Sequence, residues 1–192
     1  MTDPDLDLAR LARSGDRKAL AQLYERYRGR LFGYLVRLAG DRQIAEDVFQ
    51  EVWIKVLQAI DRFEPAAGSF RTWLFRIASN ASVDRMRRDA VRSGPALDAR
   101  VDRTGERRID GVPSDLPGPE RVGEGRAFAR DLSRALERLP EAQRTAVLLR
   151  HQQGLSYAEL AALLHIPEGT AKTTVHRGVK VLREELAEWS DE

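Results

Sequence analysis

The sequence predicts an all-α protein: two small helical domains joined by a flexible linker, the C-terminal one a helix-turn-helix. Three observations carry this. Apolar residues recur at spacings of three and four in both halves, without strand-like alternation. Ser93 to Gly125 holds Pro113, Pro117 and Pro119, several glycines and no aromatic residue, a composition that neither continues a helix nor builds a core. Near the end, a capped apolar segment, a short proline-containing turn and a basic segment follow one another as helix, turn and helix do. The domains are expected at 5–92 and 126–189, with 93–125 as the linker.

The N-terminal domain starts with a short helix over Leu6 to Arg13. Asp16 is placed to cap a second helix, which carries Leu20, Leu23, Tyr24, Tyr27, Leu31, Tyr34, Leu35 and Leu38. Gly40 suits the left-handed position that ends it. Asp41 caps a third helix, in which Val48, Val52, Val56 and Ile60 recur every four residues. "RFEPAAGSF", Arg62 to Phe70, is a loop. A fourth helix starts near Ser69 and turns Phe70, Trp73, Leu74 and Ile77 inward.

The C-terminal domain opens with a helix holding Leu132, Leu136 and Leu139, and Pro140 suits the first turn of the next. That helix carries Ala146, Val147 and Leu149 and stops at Gly154. "SYAE", Ser156 to Glu159, is a capping box: the serine oxygen takes a free amide and the glutamate reaches back to the serine. Leu160, Leu163 and Leu164 follow, then a turn at His165 to Pro167, then the last helix with Val175, Val179, Leu182 and Leu186 on one face.

Composition narrows the function classes. With 42% apolar and 32% charged residues the 192-residue chain is a globular protein and not a disordered one. The net charge of +2 does not by itself demand nucleic acid, so local clusters must decide. There is no cysteine, hence no disulfide, thiolate metal site or cysteine nucleophile. His151, His165 and His176 lack metal-ligand spacing, and there is no phosphate loop of the GxxxxGK type. Neither metal nor cofactor is expected. "MTDPDLDLARLARSGD" does not read as a signal peptide, and no apolar run approaches the roughly 20 residues of a membrane span. A cytoplasmic protein with no membrane insertion is expected.

Three surfaces have the chemistry of binding. In the last helix Thr170 to Arg183 contains Lys172, Arg177, Lys180 and Arg183 and no acid, a local charge of +4. Such a helix, second in a helix-turn-helix, enters the major groove. Lys172, Arg177 and Lys180 suit phosphates or guanine edges, Thr173 and His176 suit base edges, and amides near Gly169 and Thr170 suit a phosphate. A solvated bundle helix explains the charges alone, but not their combination with the capping box and the turn. In "AEDVFQEVW", Asp47, Gln50 and Glu51, with Ile54 beside them, share a face; the residues admit both a solvated acidic face and a dock for a basic partner. In Arg62 to Asp89, aromatic rings stand beside arginines, the ingredients of single-strand binding or capture of a flipped base. Phe70, Trp73 and Phe75 also read as plain core, whereas packing does not explain Arg71, Arg76 and Asn80.

"AEDVFQEVW", "DRFEPAAGSFRTWLFRIASN", "LERLPEAQRTAVLLR" and "GLSYAELAALLHIPEGTAKTTVHRGVKVLREEL", in this order, resemble the extracytoplasmic-function sigma factors of bacterial RNA polymerase. The resemblance implies a transcription initiation factor without enzymatic activity. It implies that Asp47, Gln50, Glu51 and Ile54 grip the β′ coiled-coil of core polymerase. It implies that the loop Glu64 to Ser69, with Phe63, Arg71, Arg76 and Asn80, takes the minus-ten element and its unpaired non-template strand. It implies that Thr170, Lys172, Thr173, His176, Arg177 and Lys180 read the minus-thirty-five duplex, while the same domain meets the β flap. An anti-sigma factor is the implied regulator. The chain departs from the family at Thr173 and Thr174, where a small residue and an arginine are usual, and at Gly178, where alanine is common and glycine weakens a helix by about 0.5–1 kcal/mol.

Two promoter elements about two helical turns apart stand about 70 Å from one another at about 35 Å per turn. A free 33-residue linker has an end-to-end distance of about 30 Å and a limit of about 110 Å. It spans the gap only when held, so free protein is expected to bind promoter duplex poorly. Two other classes fit parts of the sequence. A conventional regulator would carry a βα-rich sensor domain, and a nucleic-acid enzyme an active-site constellation; neither is visible.

Overall fold

The computed structural model describes residues 4–92 and 119–189. Eight α-helices account for about four fifths of them, and no strand occurs among the described residues. Four belong to each domain.

The N-terminal helices are α1 (Pro4–Arg13), α2 (Arg17–Ala39), α3 (Arg42–Ala59) and α4 (Phe70–Arg92). Their ends are set by local chemistry. Asp16 accepts from the amides of Lys18 and Ala19 at 2.8 and 3.2 Å, and Asp41 from those of Gln43 and Ile44 at 2.8 and 3.1 Å. Both use an aspartate carboxylate to satisfy amides the first helical turn leaves unbonded. Gly40 ends α2 at φ 65°, a left-handed conformation that a side chain would resist. Leu23, Leu31, Leu35, Leu38, Val52, Val56, Phe70, Leu74 and Phe75 form the core between these helices. Tyr34 is buried at its centre, where its hydroxyl meets Ser79 Oγ at 2.9 Å and its ring meets Phe75 edge-on. Tyr24 lies at the surface, its ring edge-on to Trp53 and Phe49.

The C-terminal helices are α5 (Pro119–Arg138), α6 (Glu141–Val147), α7 (Tyr157–Leu164) and α8 (Glu168–Glu185). The expected linker lies outside the described residues as far as 118, and from Pro119 the chain is helical, ahead of the expected boundary at 126. Pro119 opens this helix instead of breaking one, because the first turn has no use for the missing N–H. The capping box at the start of α7 is complete. His165 closes α7 at φ 55°, the one described non-glycine residue at positive φ. α6 runs on through a π-helical turn, Leu148–Gln152. Arg150 in that turn donates to the Leu155 carbonyl at 2.7 Å and stacks 4.6 Å from the centre of the Tyr157 ring, so it fixes how α7 leaves α6.

Gly178 explains itself in the packing of α8 on α6. A Cβ there would stand 2.6 Å from Val147 Cγ2. The residue is buried, and its missing side chain lets the two helices approach.

The two domains are in contact. Arg144 on α6 donates to the Leu38 carbonyl, one of the unbonded carbonyls at the end of α2, at 2.9 Å. It also holds the Glu137 and Leu139 carbonyls at 3.1 and 3.2 Å. At the other end of the seam Glu159 on α7 meets Thr72 and Arg71 on α4.

Candidate nucleic-acid interface

The last helix has the two-faced build its sequence predicts. Ala171, Val175 and Gly178 are buried against the rest of the domain. Thr170, Lys172, Thr173, His176, Arg177 and Lys180 are all exposed. Lys180 makes only a 3.8 Å surface contact with Glu184, and Lys172 and Arg177 have no ion-pair partner among the described residues. Lone exposed cations opposite an apolar stripe are free to neutralise phosphates. The threonines are more constrained than the sequence implies. Thr173 and Thr174 donate their hydroxyls to the carbonyls of Gly169 and Thr170 at 2.9 and 2.8 Å. Those hydroxyls are spent on the helix itself, which leaves the methyl of Thr173 as its free group.

The second surface lies along α4. Arg76 and Asn80, one turn apart, are exposed on the same face, and Arg87 continues it two turns further on. Arg85 and Arg88 point the other way, toward α3. The loop before α4 carries Glu64, which is exposed and lies 3.8 Å from Arg13. Ser69 accepts from the Thr72 amide at 3.1 Å and so caps α4, its hydroxyl 2.9 Å from that of Thr72. Gly68 takes φ 146°. Phe63 does not belong to this surface. It is 1% exposed and packs edge-on against Phe70 and Trp73, with ring centres 6.0 and 5.4 Å away. An aromatic residue beside a loop buries wherever a core can receive it, and here Phe63 anchors the loop from below. Arg71 is half-buried and engaged by Glu159, not presented to solvent like Arg76.

The third surface is the outer face of α3. Asp47, Gln50 and Ile54 are exposed, and Glu51 is half-exposed. Asp47 pairs with Arg85 at 3.1 Å, and Glu51 with Lys55 at 2.8 Å and Arg88 at 3.1 Å. The carboxylates thus hold the end of α4 against α3 while still facing solvent. The hydrogen bond from Lys55 holds Glu51 below the usual carboxylate range; burial opposes this, and Arg88 reinforces it. Ile54 is 54% exposed and Leu57, one turn on, 60%. Leu57 escaped the sequence reading, although its three-residue step from Ile54 on an exposed stripe was the signal that could have found it. Two aliphatic side chains thus stand in solvent beside the carboxylates.

Against known proteins, residues 23–92 match the Sigma-70 region 2 family and residues 129–182 the Sigma-70 region 4 family. The chain is 35% identical over 182 residues to the ECF RNA polymerase sigma factor SigE of Mycolicibacterium smegmatis, a match covering 93% of this chain and 67% of that protein. It belongs to the extracytoplasmic-function sigma factors. A second such relative, SigW of Bacillus subtilis, is 33% identical over 175 residues, covering 91% of this chain and 92% of SigW. The sigma factor RpoE of Bartonella quintana, solved in complex with the anti-sigma factor NepR, shares the fold with a TM-score of 0.72, at 24% identity over 88% of this chain and 98% of that one. This sigma factor is therefore a transcription initiation factor that binds core RNA polymerase and promoter DNA, and the family is not an enzyme family. Among the described residues no helix is long and apolar enough to cross a membrane, and no acidic, histidine or cysteine cluster could hold a metal ion.

Proposed function

We propose that the three surfaces divide the work of initiation. The outer face of α3 docks on the β′ coiled-coil of core polymerase, with Asp47, Gln50 and Glu51 supplying charge and hydrogen bonds and Ile54 and Leu57 the apolar contact. The loop Glu64 to Ser69, with Arg71, Arg76 and Asn80, takes the non-template strand of the minus-ten element. Captured unstacked bases there offset the few kcal/mol lost on opening each step. The exposed face of α8 reads the minus-thirty-five duplex. Lys172, Arg177 and Lys180 meet phosphates or guanine edges, His176 a base edge, and the Thr173 methyl suits a thymine methyl. The helix-turn-helix domain also meets the β flap. The two domains correspond to 5–92 and 126–189, the second extended at its start by the first turns of α5. An anti-sigma factor that covers these surfaces is the expected regulator, and the cytoplasm, where polymerase works, the expected location.

The observation that carries this reading is the exposure of Lys172, His176 and Arg177 on one face of a helix whose other face is buried. Run-off transcription with purified bacterial core polymerase tests it. Promoter-dependent transcript that is lost on changing Lys172 and Arg177 together supports the assignment. Undiminished transcript from that double variant would sink it.

A further inference from the structure

One end of the contact between the domains rests on a carboxylate with two duties. Glu159 Oε2 completes the cap of α7, accepting from the Ser156 amide and hydroxyl at 2.8 Å each. Its other oxygen, Oε1, crosses to the N-terminal domain, where it accepts from the Thr72 hydroxyl at 2.9 Å and lies 3.4 Å from Arg71 Nη2. Residues 87 and 88 positions apart in the chain are thereby joined at the start of α4, beside the loop proposed to take an unpaired base. Capping alone needs one oxygen, so the second bond is a separate use of the same group.

The seam is incompletely satisfied. Arg71 Nε and Gln152 Oε1 are buried without a hydrogen-bond partner among the described residues. Gln152 sits where α2 passes at Gly33, and Arg71 under Gly154, so both atoms lie where the domains meet. Buried unpaired polar atoms favour the state in which water reaches them. The buried apolar residues of the two domains form one continuous cluster, and beside it the edge of the contact at Glu159 is held by a few polar bonds and opposed by unmet ones, the balance expected of an edge that opens first. The face of α8 lies clear of it: Lys172, Thr173, His176 and Arg177 stay exposed while Arg71 and Thr72 are half-buried.

We propose that Glu159 is an intramolecular latch, which folds the helix-turn-helix domain onto the start of α4 and keeps Arg71 and Thr72 from single-stranded DNA until the domains are drawn apart. The inference rests on the reading of Arg71 as part of the minus-ten surface. With the domains in contact the two readers cannot occupy promoter elements about 70 Å apart, so engagement of core polymerase must break the latch.

The test uses the full chain and two variants. Glu159→Gln keeps a side chain that can still cap α7, but puts a neutral amide opposite Arg71. Ser156→Ala weakens the cap and leaves Oε1 in place. Because the chain has no cysteine, spin labels can be placed at Gln22→Cys and Glu184→Cys, both exposed. Charged hydrogen bonds of this kind shift such an equilibrium by about tenfold. Double electron–electron resonance should therefore show one short distance in the parent and in Ser156→Ala, and a long-distance population in Glu159→Gln. Binding of a random-sequence 20-nucleotide single strand should tighten severalfold in Glu159→Gln, and Arg71→Ala should abolish that gain. Unchanged distances in Glu159→Gln would overturn the latch. Opened distances without tighter single-strand binding would overturn the masking and place the failure in the assignment of Arg71. Opening in Ser156→Ala equal to that in Glu159→Gln would assign the effect to the cap and also overturn the latch.

Discussion

Replacing Gly178 by alanine sets two effects against each other, and the structure says which wins. Alanine in mid-helix is worth up to about 1 kcal/mol over glycine. By that argument alone Gly178→Ala stabilises the protein. The new Cβ, however, would stand 2.6 Å from Val147 Cγ2 and 3.5 Å from both Gln143 Cβ and its carbonyl oxygen. The valine is 5% exposed, so its methyl has no free space to retreat into. Contact between two carbons relaxes near 3.5–4.0 Å, about 1 Å more than is present. Overpacking of this kind costs about 1–3 kcal/mol, so Gly178→Ala should destabilise by about 0–2 kcal/mol. Val147→Ala alone removes two methylene-sized groups, about 1.6 kcal/mol at 0.8 each before any cavity contribution. In the double variant the alanine methyl at 178 enters the space vacated at 147. The two changes should therefore compensate, with a coupling of at least about 1 kcal/mol, well above the about 0.5 kcal/mol scatter of independent sites. Urea unfolding of the four proteins in a double-mutant cycle measures it. Additive effects, or a Gly178→Ala variant stabilised by the full propensity gain, would refute the argument that close approach of α6 and α8 requires the glycine.

Lys172→Ala and Arg177→Ala should each lower the slope of log affinity against log salt by about 1 for duplex binding in the polymerase complex, and Arg177→Ala should also relax base preference if it reaches a guanine; fluorescence anisotropy across a salt series reads both. Asp47→Asn with Glu51→Gln should weaken association with core polymerase at least about tenfold, while the amide oxygens still accept from Arg85 and Arg88 and keep the end of α4 on α3; native gel titration and circular dichroism distinguish this from unfolding. Tyr34→Phe removes the buried hydroxyl that meets Ser79 and should destabilise by about 1 kcal/mol, since Ser79 keeps its 2.8 Å bond to the Phe75 carbonyl; chemical denaturation checks it. Stability should also fall in acid. For Glu159 burial pushes upward, but bonds from the Ser156 amide and hydroxyl and from Thr72, with Arg71 nearby, outweigh it and hold the carboxyl below its usual range, as Lys55 and Arg88 hold Glu51. A carboxylate depressed on folding adds stability that is complete above its unfolded value, about 4.3, and is lost as pH falls through the folded one. Melting temperature should be level from about pH 6 to 8 and drop below about pH 4, less steeply in Glu159→Gln.

Much of this protein was legible before any coordinates, because its signals are local. Asp16, Asp41 and Ser156 announce helix starts by the reach of a short side-chain oxygen to an amide two or three residues on, and Gly40 an end by its backbone freedom. The buried valines of α3 and the split faces of α8 follow from helical period alone. Even the exposure of Lys172 and Arg177 needs only the knowledge that Val175 and Val179 face inward.

Tertiary packing decided the rest. Phe63 and Arg71 are neighbours of the same loop, yet one is core and the other is claimed by Glu159; whether a side chain near a loop faces outward depends on what the next helix brings over it. Gly178 looks like a weak point until Val147 is placed against it from 31 residues away. Arg85, Arg87 and Arg88 near the end of α4 contribute alike to a charge count. Packing separates them: Arg85 and Arg88 turn to the carboxylates of α3, while Arg87 stays in solvent. Glu159 carries an unmistakable capping signature, but no spacing in the sequence says that its second oxygen has a partner in another domain. Helices arise from contacts within a few residues, whereas these assignments depend on distances between residues that only the folded chain brings together.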